Sequence, residues 1–332
     1  MLRLDARSRR EGTVTQTDRP FANYLDEMRA CAEAIGLEPR EFVQPEDRWV
    51  QLNGINFHYL DWGNEHLPPL VLLHGGSLTA HTWDMACLLL REHYHCIALD
   101  QRGHGDTDWT PADQLDVDNG ELMREDTQAF IEHLGYERII LCGMSMGGMN
   151  SIRYASEHPE RLSALIVVDI APVTMQAGIL EMEAFRQETE TMRRFEDFLE
   201  RAIKFNPQRK PAHLKYSLMH SLKPVEDGWT WKQDHRRRRS SGDLSEEEQR
   251  AARAARTEQM WEQVRSIPVP TLLMRGEISK ILSKEAADEM AAAMQDAEHV
   301  LIPGATHSVQ GDNPKDLARE LHAFVERRAL TP

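Results

Sequence analysis

The sequence predicts an α/β protein with a mostly parallel sheet flanked by helices, and three observations carry that prediction. From residue 49 onward, short apolar runs alternate with helical segments. The later runs, among them "PLVLLHGG", "RIILCGMS" and "ALIVVDIAP", are continuously apolar, as strands covered on both faces must be. The alternation stops after Pro172 and resumes at "VPTLLMRGE", so a single α/β unit carries an insertion.

In chain order, residues 1–20 are charged and are expected to be mobile, and "FANYLDEMRACAEAIGL" has the apolar spacing of an accessory helix. "PREFVQPEDRW" follows as a linker, which makes residues 1–47 an N-terminal extension. "WVQLNG" and "INFHYLDWG" alternate apolar with polar residues around Asn53-Gly54, the signal of a hairpin. "NGELMREDTQAFIEHLG" and "MGGMNSIRYASEHPE" supply helices between the parallel strands. The core thus spans 48–172 and 267–332, closing with "KEAADEMAAAMQ", "EHVLIPG" and "NPKDLARELHAFVERR". Residues 173–266, rich in Met, Arg and Glu, are expected to form a helical cap that includes "MEAFRQETETMRRFEDFLERAIK". Within it, "HRRRRSSGDLSEEE" has the composition of a solvated loop entering a helix rather than of an anion site.

Composition narrows the function. A net charge of -15 argues against a nucleic-acid partner, which would ask for a basic face. No run offers the roughly 18 uninterrupted apolar residues of a membrane span, and the polar N-terminus lacks a secretory apolar region, so a cytoplasmic protein with no membrane partner is expected. The four cysteines, Cys31, Cys87, Cys96 and Cys142, have neither metal-ligand nor disulfide-framework spacing. A homo-oligomer is compatible with this composition, which fixes no oligomeric state.

"LCGMSMGG" places Ser145 in G-x-S-x-G, through Gly143 and Gly147. The pattern alone is weak; its confirmation is a strand before it and a helix after it, and "RIIL" and "GGMNSIRYASEH" provide both. On a sharp strand-to-helix turn, flanking glycines make room for a serine held out at the sheet's carboxyl edge. Such a nucleophile needs backbone N–H groups for the oxyanion. Met146, the next residue, supplies one, and the glycine-rich "LVLLHGGSLTAHTWD" places the second at Gly76.

"LLHGG", "ALDQRGHGDTDW", "LCGMSMGG" and "IPGATHSV" occur in the order and approximate spacing of the α/β-hydrolase superfamily, and over residues 48–332 the chain resembles its esterase-type members. That resemblance implies the α/β-hydrolase fold with a helical cap insertion. It also implies a base on the loop after the last strand, where His307 lies, and structural roles for His74, His104, Asp100 and Arg102.

The acid departs from the commonest pattern. Where many relatives carry Asp, in the loop "RGEISKILS", this chain has Ser279, which has no charge to stabilise an imidazolium. Asp169, at the end of "ALIVVDIAP", resembles the acid of a subset of the superfamily and is the favoured candidate; Glu277 is the alternative acid. The expected chemistry is a Ser-His-Asp serine hydrolase acting through an acyl-enzyme on a carboxylic ester. Its partner is a small-molecule substrate, largely apolar to suit the Met, Phe, Leu and Trp of the cap, and it needs no metal or organic cofactor. Amide, lactone and carbon-carbon bond hydrolysis remain open on the same apparatus, as does a non-catalytic ligand receptor. Trp229, Trp231 and Trp261 could line the pocket or hold the cap's own core.

Overall fold

The computed structural model describes residues 23–188, 191–236 and 245–330. Residues 1–22 and 237–244, the latter most of the arginine-rich segment within "HRRRRSSGDLSEEE", lie outside them. The strands of the main sheet are β1 (Glu46–Leu52), β2 (Ile55–Asp61), β3 (Pro69–Leu73), β4 (His95–Leu99), β5 (Ile139–Met144), β6 (Leu162–Val168), β10 (Thr271–Gly276) and β11 (Ala297–Ile302). Strands β7 (Thr191–Met192), β8 (Leu222–Val225) and β9 (Gly228–Trp231) form a second, antiparallel sheet inside the insertion. The larger sheet has the order β1-β2-β4-β3-β5-β6-β10-β11. β2 runs antiparallel to both of its neighbours, and every pairing from β4 to β11 is parallel. Asn53 and Gly54, with φ of 47° and 81°, make the predicted two-residue turn between Leu52 and Ile55. β1 nevertheless starts at Glu46, inside the stretch expected to be a linker, because pairing with β2 extends to Glu46 and Asp61.

The helices are α1 (Tyr24–Ala34), α2 (Asp84–Leu90), α3 (Asn119–Leu134), α4 (Met146–Glu157), α5 (Gln176–Glu188), α6 (Phe195–Phe205), α7 (Pro211–Ser221), α8 (Glu246–Ser266), α9 (Lys284–Ala293), α10 (Val309–Asp312) and α11 (Pro314–Arg327). Period-2 alternation explains why the central strands are apolar throughout. Leu70 and Leu72 of β3 join α1, α2 and α11 in one core, while Val71 and Leu73 face the other way into a core with α3, α4, α9 and the end of α8. All four cysteines are buried free thiols. Among the described residues no helix is long and apolar enough to cross a membrane.

The insertion is mostly helical but not uniformly so. The stretch expected as one helix from Met182 to Lys204 is divided, with β7 between α5 and α6. β7 pairs with β9, which pairs with β8, and Trp229 and Trp231 on β9 pack edge-on against Phe195 and Phe198 of α6. Thus Trp229 and Trp231 hold the insertion's own core, Trp231 also reaching the cavity described below, while Trp261 belongs to the core beneath the main sheet.

The accessory helix has a structural place. Asn23 caps α1 by accepting the Leu25 N–H at 3.1 Å, and Tyr24, Met28, Cys31 and Ala32 turn inward at helical spacing. Tyr24 and Tyr216 of α7 both donate to Asp84 Oδ2, at 2.9 and 2.6 Å, and His81 Nδ1 lies 2.9 Å from the same oxygen. One buried carboxylate therefore joins the extension, the core and the insertion.

Candidate active site

β3 and β5 are neighbours, yet the chain leaves β3 for β4 on one side and later leaves β5 for β6 on the other. Their carboxyl ends flank the point where strand order reverses, the place where an open α/β sheet forms a crevice. The "HGG" turn follows β3 and Ser145 follows β5.

Ser145 stands between β5 and α4 with φ 52° and ψ -113°, a strained setting for a residue bearing a Cβ. Its N–H donates to Val168 O at 3.0 Å and its carbonyl accepts from Met149 at 2.9 Å, which hold the turn from both sides. Gly147 makes that turn possible. A Cβ there would lie 2.3 Å from Leu73 O, so β3 and α4 could not approach as they do. Gly147→Ala is expected to destabilise the fold by at least about 1–3 kcal/mol, the usual cost of overpacking, read as a lower midpoint in urea unfolding.

Around Ser145 the predicted residues converge. His307 Nε2 is 3.0 Å from Ser145 Oγ and its Nδ1 is 2.8 Å from Asp169 Oδ2. Because a carboxylate only accepts, Nδ1 carries the proton and Nε2 is left to accept from the serine hydroxyl. Asp169, fully buried and itself at φ 52°, receives two further donors: the Gly276 N–H at 2.8 Å and Ser279 Oγ at 2.5 Å. The serine that replaces the more usual aspartate thus hydrogen-bonds the carboxylate that stands beside the histidine. Glu277 is turned elsewhere, its Oε2 accepting the Gly304 N–H at 2.8 Å on the exposed side of the loop.

The amides of Gly76 and Met146 both border the cavity, and neither donates to any acceptor among the described residues. His74 is structural: Nδ1 faces Gly75 O at 2.8 Å, Nε2 accepts from Gln101 N at 3.0 Å, and burial lowers its pKa. His104 Nδ1 bonds Arg102 O at 3.0 Å. Asp100 braces the loops by accepting from Ala80 N at 2.6 Å and Asp106 N at 2.9 Å, and Arg102 makes a two-pronged pair with buried Asp126 at 2.6 and 2.7 Å.

Three contacts between the insertion and the loops of the core leave no trace in the sequence. Arg209 pairs with Asp312, whose other oxygen accepts the N–H and the hydroxyl of Thr306, the residue before His307. Burial works against ionising Asp312, but Arg209 outweighs it and its pKa is lowered. On the opposite side, Ser77, at φ 66° beside Gly76, donates to Gln233 Oε1 at 2.6 Å, and the Asp234 N–H donates to Gly103 O at 2.7 Å. These partners lie far apart in the chain, so no local pattern could announce them.

Above the site is a cavity of about 1190 Å³, floored by the Ser145 and His307 turns and walled by α5, α6, α7 and α8. A family model described as the alpha/beta hydrolase fold matches residues 68–314. The chain belongs to the alpha/beta hydrolase family. Among relatives of this hydrolase, esterase Rv0045c of Mycobacterium tuberculosis is 27% identical over 92% of the chain and 97% of that protein. The 2-(acetamidomethylene)succinate hydrolase of Mesorhizobium japonicum is 24% identical over 78% of the chain and 88% of that protein. The solved structure of the mycobacterial esterase superposes with a TM-score of 0.69 at 24% identity, covering 92% of this hydrolase and 99% of that chain. The solved structure of an E-2-(acetamidomethylene)succinate hydrolase reaches 0.71 at 21% identity, covering 85% of this chain and 99% of that one. Both superpositions agree with the eight-stranded fold.

Proposed function

We propose that the protein is a serine hydrolase that cleaves a carboxylic ester of a small, largely apolar compound. The observation that carries this reading is the continuous relay from Ser145 Oγ through His307 to buried Asp169, at 3.0 and 2.8 Å. His307 takes the Ser145 proton as Oγ attacks the ester carbonyl, and the Gly76 and Met146 N–H groups receive the oxyanion. Asp169 keeps the Nδ1 proton in place and stabilises the imidazolium that forms. His307 then protonates the departing alcohol, and water, activated by the same imidazole, releases the acid from the acyl-enzyme. The whole sequence needs only this chain's own residues.

Residues 173–266 act as a cap over a core of 48–172 and 267–332. The cap's apolar wall, with Leu214 and Leu218 buried in it, favours an apolar acyl or aryl group. The named activity of the mycobacterial relative, an esterase matched along nearly its whole length, supports the ester reading over amide, lactone or carbon-carbon cleavage.

A fluorophosphonate probe tests the chemistry. Wild-type protein is expected to be labelled, Ser145→Ala is not, and its turnover of p-nitrophenyl butyrate drops by about 10⁴-fold or more. Folded wild-type protein that resists the probe and turns over no ester would instead mark a non-catalytic receptor.

A further inference from the structure

The cavity's charges bear on what the ester carries besides its scissile bond. Its inner wall includes buried Ile170, Ala171, Leu214 and Leu218. Its rim is exposed and cationic, with Lys204, Arg253, Arg256 and Lys280 around the opening. Glu181 is the one carboxylate among the described lining residues, and Lys280 already pairs with it at 2.9 Å. Arg256 reaches Asp118 only at 3.4 Å, with both side chains more than half exposed. Lys204 and Arg253 face no carboxylate among the described residues.

This rim runs against the composition of the chain, in which 54 acidic residues outnumber 39 basic ones. A surface drawn evenly from that composition would be negative and would repel anions. Lys204 and Arg253, with no carboxylate partner among the described residues, together with the loosely paired Arg256, instead focus a positive potential at the opening. An apolar bore with a cationic mouth fits an amphiphile lying with its apolar part inward.

We propose that the substrate is an anionic ester, whose apolar portion fills the bore and whose carboxylate, remote from the scissile carbonyl, is held at the rim by Lys204, Arg253 and Arg256. The proposal rests on the ester-hydrolase reading and adds the charge. The carboxylate can belong to the acyl or to the alcohol portion, and two substrate pairs separate these. The first is p-nitrophenyl hydrogen glutarate against p-nitrophenyl valerate, which have the same acyl length. The second is 4-carboxyphenyl valerate against phenyl valerate.

In about 20 mM salt, kcat/KM is expected to favour the charged member of at least one pair by roughly tenfold. In about 0.5 M salt that preference shrinks toward parity, because screening shortens the reach of exposed charges to a few ångströms. Charge reversal by Lys204→Glu, Arg253→Glu and Arg256→Glu together should invert the low-salt preference. Since all three side chains are exposed, the variant is expected to keep the wild-type circular dichroism spectrum, and each single reversal should shift the ratio part of the way. A neutral ester preferred in both pairs at low salt, or a preference untouched by the reversals, overturns the anionic substrate and leaves the ester reading standing. Failure of all four esters together with failure of fluorophosphonate labelling overturns both.

Discussion

Asp169→Asn is expected to lower kcat for a p-nitrophenyl ester by about 10⁴-fold, because an amide can donate to His307 Nδ1 and so favour the tautomer that cannot accept the Ser145 proton. The structure gives this substitution a second cost. Asp169 accepts from Gly276 N and from Ser279 Oγ as well as from His307, and an amide, with one accepting oxygen, cannot serve all three. A loss of about 1–3 kcal/mol in unfolding free energy should accompany the kinetic defect. Glu277→Gln, by contrast, should change kcat less than about threefold, since among the described residues the Glu277 carboxylate holds only the Gly304 amide. Ser279 already touches the Asp169 carboxylate, so adding Ser279→Asp to Asp169→Asn offers the histidine a carboxylate from the neighbouring strand end. Recovery of roughly tenfold or more in kcat is expected from that double variant. Full activity in Asp169→Asn alone would remove this residue from the mechanism.

Stability should fall between pH 6.5 and pH 9 through a group outside the site. His58 is completely buried, with Nδ1 2.7 Å from Asp100 Oδ2 and Nε2 3.0 Å from Asp47 Oδ1. Burial works against its charge, but the hydrogen bonds to Asp100 and Asp47 outweigh that cost and raise its pKa from 6.5 to about 9. Because the folded value is the higher one, the folded state retains a proton that the unfolded chain releases. The stabilisation is fully present below pH 6.5 and is lost as pH rises through about 9. The loss is on the order of 3 kcal/mol, since each tenfold gain in proton affinity on folding is worth about 1.4 kcal/mol. Urea unfolding of wild type at pH 6.5 and pH 9.5 should show that drop, and His58→Gln should flatten it. An equally steep curve in His58→Gln would place the titration elsewhere.

The sequence made the sheet and the Ser145 turn readable because both rest on local signals. Continuous apolar runs mark strands buried on two faces, and the glycines beside Ser145 mark a crowded turn. The order of motifs in the chain is what points to His307 as the candidate base. Residue type alone leaves Asp169 and Glu277 both open as candidate acids near the same edge; in the fold the Asp169 side chain lies against His307 while Glu277 contacts Gly304. Ser279, which carries no charge in place of the usual Asp, is a hydrogen-bond donor to Asp169, a role visible only once β6 and β10 are side by side. The small sheet of the insertion is not legible in the sequence, because β7 has two residues and β8 and β9 four each, too short for alternation to register.

Arg209 on Asp312 and Gln233 on Ser77 fasten the insertion to the loops bearing His307 and Gly76. This bears on how such proteins can diverge. A chimaera that replaces residues 173–266 by a segment lacking counterparts of Arg209 and Gln233 leaves Asp312 without its guanidinium and Ser77, at its positive φ, without the Gln233 carbonyl. A roof grafted for a new specificity must therefore bring matching residues at 77 and 312, or restore Arg209 and Gln233. Drift in the insertion and drift in the two loops are thereby coupled through these two contacts.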